Sequence, residues 1–367
     1  MSQVNVIFSD TPDDVVTPLK KYPAVFVVAD SRVKSIVTDS LVEHCAESGV
    51  AVRGLLDIRT AERFKTLDTV GRIQRWLIDS GADRDALVLA VGGGITTDLA
   101  GFAAATFKRG VRYANVPTTL LAMVDASIGG KTGCNVASYK NMCGAFLQPE
   151  FTFICPPLVR SLPWREFSGG CAEMLKTFII GDGGAYAKAV RLLGGDSAGD
   201  NTDAFIAALS PLVRRAVEIK SAIVERDFKE KGERRLLNLG HTFAHAIETR
   251  SSRCIVRRTV PGEGSAPFTF RRVSHGHAVA MGLILAARMS EREGIASGGL
   301  ADRLVADLSG IGLPVDCPWD EAELMRYIRA DKKVKNSRIP FILMEDIGKV
   351  VVCEKDMGTD DLLQHSE

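Results

Sequence analysis

The sequence predicts an α/β first part built on an alternating, largely parallel sheet, followed by a mostly α-helical second part. Three observations predict it. Residues 24–29 and 86–91 are short apolar runs with the β-branched and aromatic content of buried strands. Residues 61–78, between them, carry helical periodicity, so strand and helix alternate as in a parallel sheet. From about residue 163 the strand signals fade, and 172–180, 204–224, 234–250, 278–293 and 300–309 all read as helices.

At 367 residues, with 46% hydrophobic and 25% charged, the chain is long enough for two domains. Their expected extents are 1–162 and 163–367. No Ser/Gly linker or internal repeat separates them, which predicts a packed boundary and not a loose tether.

Each strand of the first part ends at a residue with chemical meaning. The first closes at Asp30 and the second at Gly92-Gly93-Gly94. In alternating α/β folds ligands bind at strand C-termini, and glycines ahead of a helix let a phosphate approach exposed backbone N–H groups. A tight strand-to-helix turn is the plainer alternative, because the Gly-x-Gly-x-x-Gly dinucleotide spacing is absent. Further along, Gly129-Gly130-Lys131-Thr132 matches the end of a Walker loop. Asp125 stands where that motif needs its first glycine, which excludes an NTPase of this type.

Lys plus Arg total 46 against 45 for Asp plus Glu, so no global field favours nucleic acid or an anionic membrane. Any anion is recognised locally. The eight cysteines contain no Cys-x-x-Cys pair and sit mostly in apolar context, which predicts a reducing compartment. The first residues lack a basic segment followed by an apolar one, and no run approaches the roughly 18 apolar residues of a membrane span. A cytoplasmic protein is expected.

Four of the six histidines, His241, His245, His275 and His277, fall in one short region. His241 and His245 lie one helical turn apart on one face, a pattern that suits a divalent transition metal, Zn²⁺ above all. A helical His pair can also cap or pack, and spacing leaves both readings open.

Several blocks, taken together and in order, resemble the 3-dehydroquinate synthase family of sugar-phosphate cyclases. They are Gly92-Gly93-Gly94-x-x-x-Asp98 continuing to Arg109-Gly110, Val116-Pro117-Thr118-Thr119, Asp125-x-Ser127-x-Gly129-Gly130-Lys131 with Asn135, Lys140-Asn141, Ala172-Glu173-x-x-Lys176, and Leu237-Asn238-x-Gly240-His241-x-x-x-His245. The resemblance implies a Rossmann-like N-terminal domain, an α-helical C-terminal domain, a homodimer, NAD⁺ and one Zn²⁺ or Co²⁺.

Carried over by position, the resemblance makes Glu173, His241 and His275 the metal ligands, with His245 a nearby hydrogen-bonding group. The NAD⁺ pattern falls on Asp30, Glu62 and Lys65, on Gly93, Gly94 and Asp98, on Thr118, Thr119 and Asp125, and on Lys131, Lys140 and Ser161. Asp30 is the expected ribose carboxylate. The substrate pattern falls on Lys131, Asn141, Lys176, Lys220, Glu230, Arg234 and Asn238, and on the Lys332-Lys333 pair. Arg109 is implied to reach the site across the dimer. A substrate bearing both phosphate and carboxylate needs several fixed cations of this kind. Without the resemblance, residues 226–235 read as a solvated charged face.

The implied reaction converts 3-deoxy-D-arabino-heptulosonate 7-phosphate to 3-dehydroquinate with loss of phosphate, regenerating NAD⁺ at each turnover. Two alternatives remain: a sibling cyclase acting on sedoheptulose 7-phosphate or a similar substrate, and a metal- and NAD-dependent polyol dehydrogenase. Lys220, Arg234 and Lys332-Lys333 favour a carboxylated substrate, and a dehydrogenase has no need of a phosphate clamp.

Two features depart from the family pattern. His275-Gly276-His277 stands where His-Gly-Glu is usual. Residues 255–273 lengthen a usually short connection, and two strand-like runs around Pro261-Gly262-Glu263-Gly264 predict an exposed β-hairpin.

Overall fold

The computed structural model describes residues 3–137, 139–195, 202–252, 273–330 and 338–356. Residues 255–272 of the hairpin expected at 255–273, and the pair Lys332-Lys333, lie outside the described residues. The chain divides into two compact units, Met1–Met174 with Asp196–Arg234, and Leu175–Gly195 with Arg235–Glu367.

The first unit holds a six-stranded sheet formed by β1 (Val6–Phe8), β2 (Val25–Asp30), β3 (Val52–Ile58), β4 (Leu87–Gly92), β5 (Arg112–Pro117) and, after a separate hairpin of β6 (Lys131–Val136) and β7 (Tyr139–Phe146), β8 (Thr152–Ile154). Its order is β1-β8-β5-β4-β2-β3 and every pairing is parallel. β2 and β4 are buried along their whole length, as parallel strands covered on both faces must be. These are the two apolar runs of the sequence, each displaced by one residue.

The helices of this unit are α1 (Val16–Leu19), α2 (Asp39–Glu47), α3 (Leu67–Asp79) and α4 (Gly94–Thr106), then the first part of α5 (Trp164–Gly181) and, beyond α6 (Gly183–Leu193) of the second unit, α7 (Asp203–Arg226). The helix expected over 61–78 is instead a 3-10 turn, Glu62–Phe64, followed by α3. Thr66 separates the two, its hydroxyl accepting from the Thr69 N–H as an N-cap. Val70, Ile73 and Leu77 of α3, at helical spacing, enter one core with Val28, Ile58, Val88 and Ala103. Truncating a side chain such as Ile73 there costs about 2–5 kcal/mol.

The second unit carries α6 and the second part of α5, then α8 (His241–Ser252), α9 (His275–Arg292), α10 (Leu300–Gly310) and α11 (Glu321–Ala330). The continuous helix expected over 234–250 is broken. Gly240 takes φ +73, so a 3-10 turn, Glu233–Asn238, ends before it and α8 begins with His241. Gly282 of α9 lets the chain at Gly240 come close, since a Cβ on Gly282 would lie 2.3 Å from the Gly240 carbonyl oxygen.

This unit also contains strands that the fading signal did not predict. β9 (Arg338–Asp346) and β10 (Lys349–Asp356) pair antiparallel around Gly348 at φ +96. They exist because Ile339, Phe341, Ile342, Leu343 and Met344 find cover, and the Met344 N–H donates to the Ser290 hydroxyl of α9 at 2.9 Å. Among the described residues no helix is long and apolar enough to cross a membrane, and the described cysteines are free thiols.

Candidate active site

Within the first unit, winding reverses between β2 and β4: β3 lies beyond β2, whereas β5, β8 and β1 lie beyond β4. Such a switch opens a crevice at the strand C-termini, where Asp30 and Gly92 stand. Asp30 is 2% exposed. Its carboxylate accepts from the Arg32 backbone N–H at 2.9 Å, from Arg32 Nη2 at 2.8 Å and from the Thr60 hydroxyl at 2.6 Å. Burial works against its charge, but the bonds from Arg32 and Thr60 prevail and hold the carboxyl below its ordinary range.

Beside it Gly92 and Gly94 leave no room for a side chain, and Gly93 is tightly packed. A Cβ would come within 2.4 Å of the Thr96 hydroxyl at Gly92, 3.1 Å of Thr119 at Gly93 and 2.9 Å of Ala126 at Gly94. Gly93 is the N-cap of α4 with no side-chain cap, and its carbonyl accepts from the Thr96 and Thr97 N–H groups, so the N–H groups ahead of those two are the ones a helix N-terminus offers to an anion. Thr118 closes the same corner by donating its N–H to the Gly92 carbonyl, and its buried hydroxyl oxygen meets no partner. A bare-backbone cradle at a helix N-terminus, with an orphaned hydroxyl and an ionised carboxylate, fits the pyrophosphate and ribose of a dinucleotide.

The polar residues beyond the cradle form one network. Lys65 Nζ donates to Asp98 Oδ2 at 2.5 Å and to Asn141 Oδ1 at 2.6 Å. Asn135 donates to Glu62 at 2.8 Å and accepts from the Asn141 N–H at 2.9 Å, while Lys140 stands 3.7 Å from Glu62. Burial pushes the Asp98 carboxyl up, against the pull of Lys65. The network binds residues expected on the cofactor side to Asn141, expected on the substrate side.

A second group is cationic. Lys220 Nζ, 6% exposed, donates to the Asp125 carboxylate at 2.6 Å and to its carbonyl at 2.7 Å. Lys131 pairs with Glu230, and burial draws its ammonium below the ordinary lysine value while Glu230 opposes the shift. Arg234, 2% exposed, donates through Nη1 to the Phe228 carbonyl and through Nη2 to the Gly129 carbonyl at 2.9 Å. Its Nε is buried and meets no acceptor. Burial depresses its affinity for the proton, the expected sign for a buried cation short of full compensation.

In the second unit, His241 and His245 have ring centroids 5.6 Å apart, and His241 and His275 5.3 Å apart. Nδ1 of His241 lies 3.2 Å from the Leu239 carbonyl and Nδ1 of His275 lies 3.2 Å from Glu248. Lys176 is buried on α5, and Asn238 ends the 3-10 turn ahead of α8. Glu173 of α5 is fully buried. Among the described residues Glu173, His241 and His275 make up a group able to hold a metal ion, their donor atoms within 4.8 Å of one another. One carboxylate and two imidazoles, leaving positions open, are a donor set suited to catalytic Zn²⁺ or Co²⁺.

Two expected residues stand apart from these networks. Ser161 is exposed at the end of a 3-10 turn, Pro156–Ser161. Arg109 is exposed on a sharp turn, with φ +69 following Lys108 at φ +47. Sequence reasoning missed Arg32, Thr60 and Glu248. Glu248 had a visible signal, since it follows His241 by two helical turns, and Arg32 stands two residues after Asp30; Thr60, 30 positions on, reaches Asp30 only through the fold.

Comparison with known proteins matches residues 55–169 to the N-terminal and residues 170–334 to the C-terminal model of 3-dehydroquinate synthase. A 3-dehydroquinate synthase of Cereibacter sphaeroides is 37% identical over 350 residues, covering 94% of this chain and 88% of the relative. One from Acinetobacter baylyi is 36% identical over 344 residues, covering 93% and 88%. Among solved structures, 2-epi-5-epi-valiolone synthase from Streptomyces hygroscopicus subsp. jinggangensis, with NAD⁺ and Zn²⁺ bound, superposes with a TM-score of 0.81 at 27% identity, covering 97% of this chain and 93% of that one. A 2-deoxy-scyllo-inosose synthase complexed with carbaglucose-6-phosphate, NAD⁺ and Co²⁺ gives 0.78 at 26% identity, covering 96% and 94%.

Proposed function

The chain belongs to the 3-dehydroquinate synthase family, and from that premise we propose that it converts 3-deoxy-D-arabino-heptulosonate 7-phosphate to 3-dehydroquinate and phosphate. It is then an NAD- and metal-dependent carbon–oxygen lyase of aromatic amino acid biosynthesis. The single observation that carries the carboxylated, phosphorylated substrate is Arg234, a buried guanidinium held by main-chain carbonyls with its Nε unsatisfied. An anion at that place completes its hydrogen bonding.

The residues divide the work. Asp30, the Gly92–Gly94 cradle and Thr118 hold the dinucleotide, with Glu62, Lys65, Asp98, Thr119, Lys140 and Ser161 around it. Glu173, His241 and His275 hold the ion. When bound, NAD⁺ supplies a reversible hydride acceptor and the ion a Lewis acid for a substrate hydroxyl. Lys131, Lys176, Lys220, Arg234 and Lys332-Lys333 neutralise the substrate's phosphate and carboxylate, and Asn141, Asn238 and His245 orient its hydroxyls. Glu230 keeps Lys131 in place, and Asp125 keeps Lys220. The protein's contribution is position: fixed charges convert binding free energy into a reactive geometry. Arg109, exposed on its own chain, serves a second copy in a homodimer, and the enzyme works in the cytoplasm.

Incubation with the heptulosonate phosphate, NAD⁺ and Zn²⁺ tests the reading, with sedoheptulose 7-phosphate as the parallel substrate. Phosphate release with an ultraviolet-absorbing product from the first substrate is expected. Preference for sedoheptulose 7-phosphate moves the chain to a sibling cyclase, the class of its structural neighbours; oxidation without phosphate release makes it a polyol dehydrogenase.

A further inference from the structure

One face of α8 carries His241, His245 and Glu248, each about one turn beyond the last. Glu248 is 5% exposed, and a buried carboxylate needs a partner. Its Oε1 lies 3.2 Å from Nδ1 of His275, the first residue of α9. An ionised carboxylate only accepts, so that Nδ1 carries a hydrogen and the lone pair of the neutral ring resides on Nε2. The Leu239 carbonyl imposes the same tautomer on His241 from 3.2 Å. Both rings therefore present the same nitrogen.

We propose that Glu248 is a positioning residue of the metal centre, fixing the tautomer and orientation of His275 and placing a negative charge behind its imidazole. This rests on His275 being a ligand, as proposed above. A carboxylate hydrogen-bonded to the far nitrogen of a ligating histidine raises the basicity of the near one and holds the ring in line with the ion. A contact that merely joined α8 to α9 would stabilise the metal-free fold and leave metal affinity alone.

The test uses the full chain, stripped of metal, titrated with Zn²⁺ against a chromophoric chelator in wild type, Glu248→Ala and Glu248→Gln. Nitrogen-15 spectra of the histidine rings and melting curves of the metal-free proteins accompany it. Glu248→Ala weakens Zn²⁺ binding about 10–100-fold and turns His275 into a tautomer mixture. Glu248→Gln, whose amide oxygen still accepts from Nδ1, restores the Nδ1–H signature and part of the affinity. Zn²⁺ affinity within twofold of wild type in both variants overturns the proposal, as does a loss confined to the melting temperature. Should Glu248→Ala not fold, Glu248→Gln decides alone: an intact His275 tautomer with about tenfold weaker Zn²⁺ binding supports the role, and unchanged affinity ends it. A wild-type chain that takes up no Zn²⁺ refutes the ligand reading itself.

Discussion

Arg32 closes over Asp30, its Nη2 2.8 Å from Oδ2 and its Nε 3.2 Å from each carboxylate oxygen. The acid at the end of β2 is thus kept ionised by a side chain two residues along the same strand exit. Because the folded carboxyl sits below its ordinary value, its stabilisation is complete above the unfolded value, about 3.9, and is lost as pH falls through the lower folded value. Asp30→Asn is expected to cost roughly 1–3 kcal/mol at neutral pH. Urea unfolding across pH checks it: the difference from wild type stays level from about pH 5 to 8 and shrinks below about pH 4. A difference that widens toward acid contradicts the pairing.

Arg234→Ala and Lys220→Ala are expected to differ in kind. Each weakens substrate binding by about 2–5 kcal/mol, as loss of a buried charge-assisted partner does. Arg234 is held by carbonyls, so its loss leaves NAD⁺ affinity near wild type. Lys220 is bonded to Asp125, and removing it strands a carboxylate expected on the cofactor side, so NAD⁺ binding falls as well. Calorimetric titration with each ligand separates the two patterns; equal losses of substrate and cofactor in Arg234→Ala would refute the clamp.

Glu173→Gln keeps the shape of a fully buried side chain and removes the only anionic donor of the proposed ligand set. Metal content drops well below one ion per chain and turnover is abolished, while the circular dichroism spectrum remains that of wild type. Elemental analysis of the purified variant is decisive, and full occupancy with normal activity would reject this ligand.

Gly92→Ala introduces a Cβ 2.4 Å from the Thr96 hydroxyl and 3.0 Å from the Asp30 Cβ. The expected cost is about 1–3 kcal/mol of stability, the usual range for overpacking. Dinucleotide affinity falls more than the stability loss alone accounts for, because α4 must shift and carries its N-terminal N–H groups with it. Chemical denaturation and fluorescence titration with NAD⁺ measure the two effects.

The strands that end at Asp30 and Gly92 were legible because complete burial writes a continuous apolar run into the sequence. Helix α6 was not among the expected helices: its first two residues, Gly183-Gly184, are poor helix formers, and the Asp182 carboxylate that accepts from the Ala185 N–H is what starts it. The break at Gly240 was hidden inside an otherwise helical pattern, since one left-handed residue suffices to make it. Of the polar network, spacing revealed the residue types at the glycine and histidine blocks. The pairings Lys65 with Asn141 and Lys220 with Asp125 join residues 76 and 95 positions apart, and only the three-dimensional arrangement can supply them.

β1 pairs with β8, Val6 lying opposite Thr152, so this edge strand finds its partner only when a segment far along the chain has been made. A ribosome must deliver about 150 residues before that edge can close, and until then Val6, Ile7 and Phe8 wait as an unpaired β segment while β2, β3, β4 and β5 already have one another. Pairings this distant in sequence slow folding and prolong exposure to other nascent chains. Yield in the cell is therefore governed in part by three residues that lie in no catalytic network, and chaperone supply should change recovery of intact protein far more than it changes activity per folded molecule.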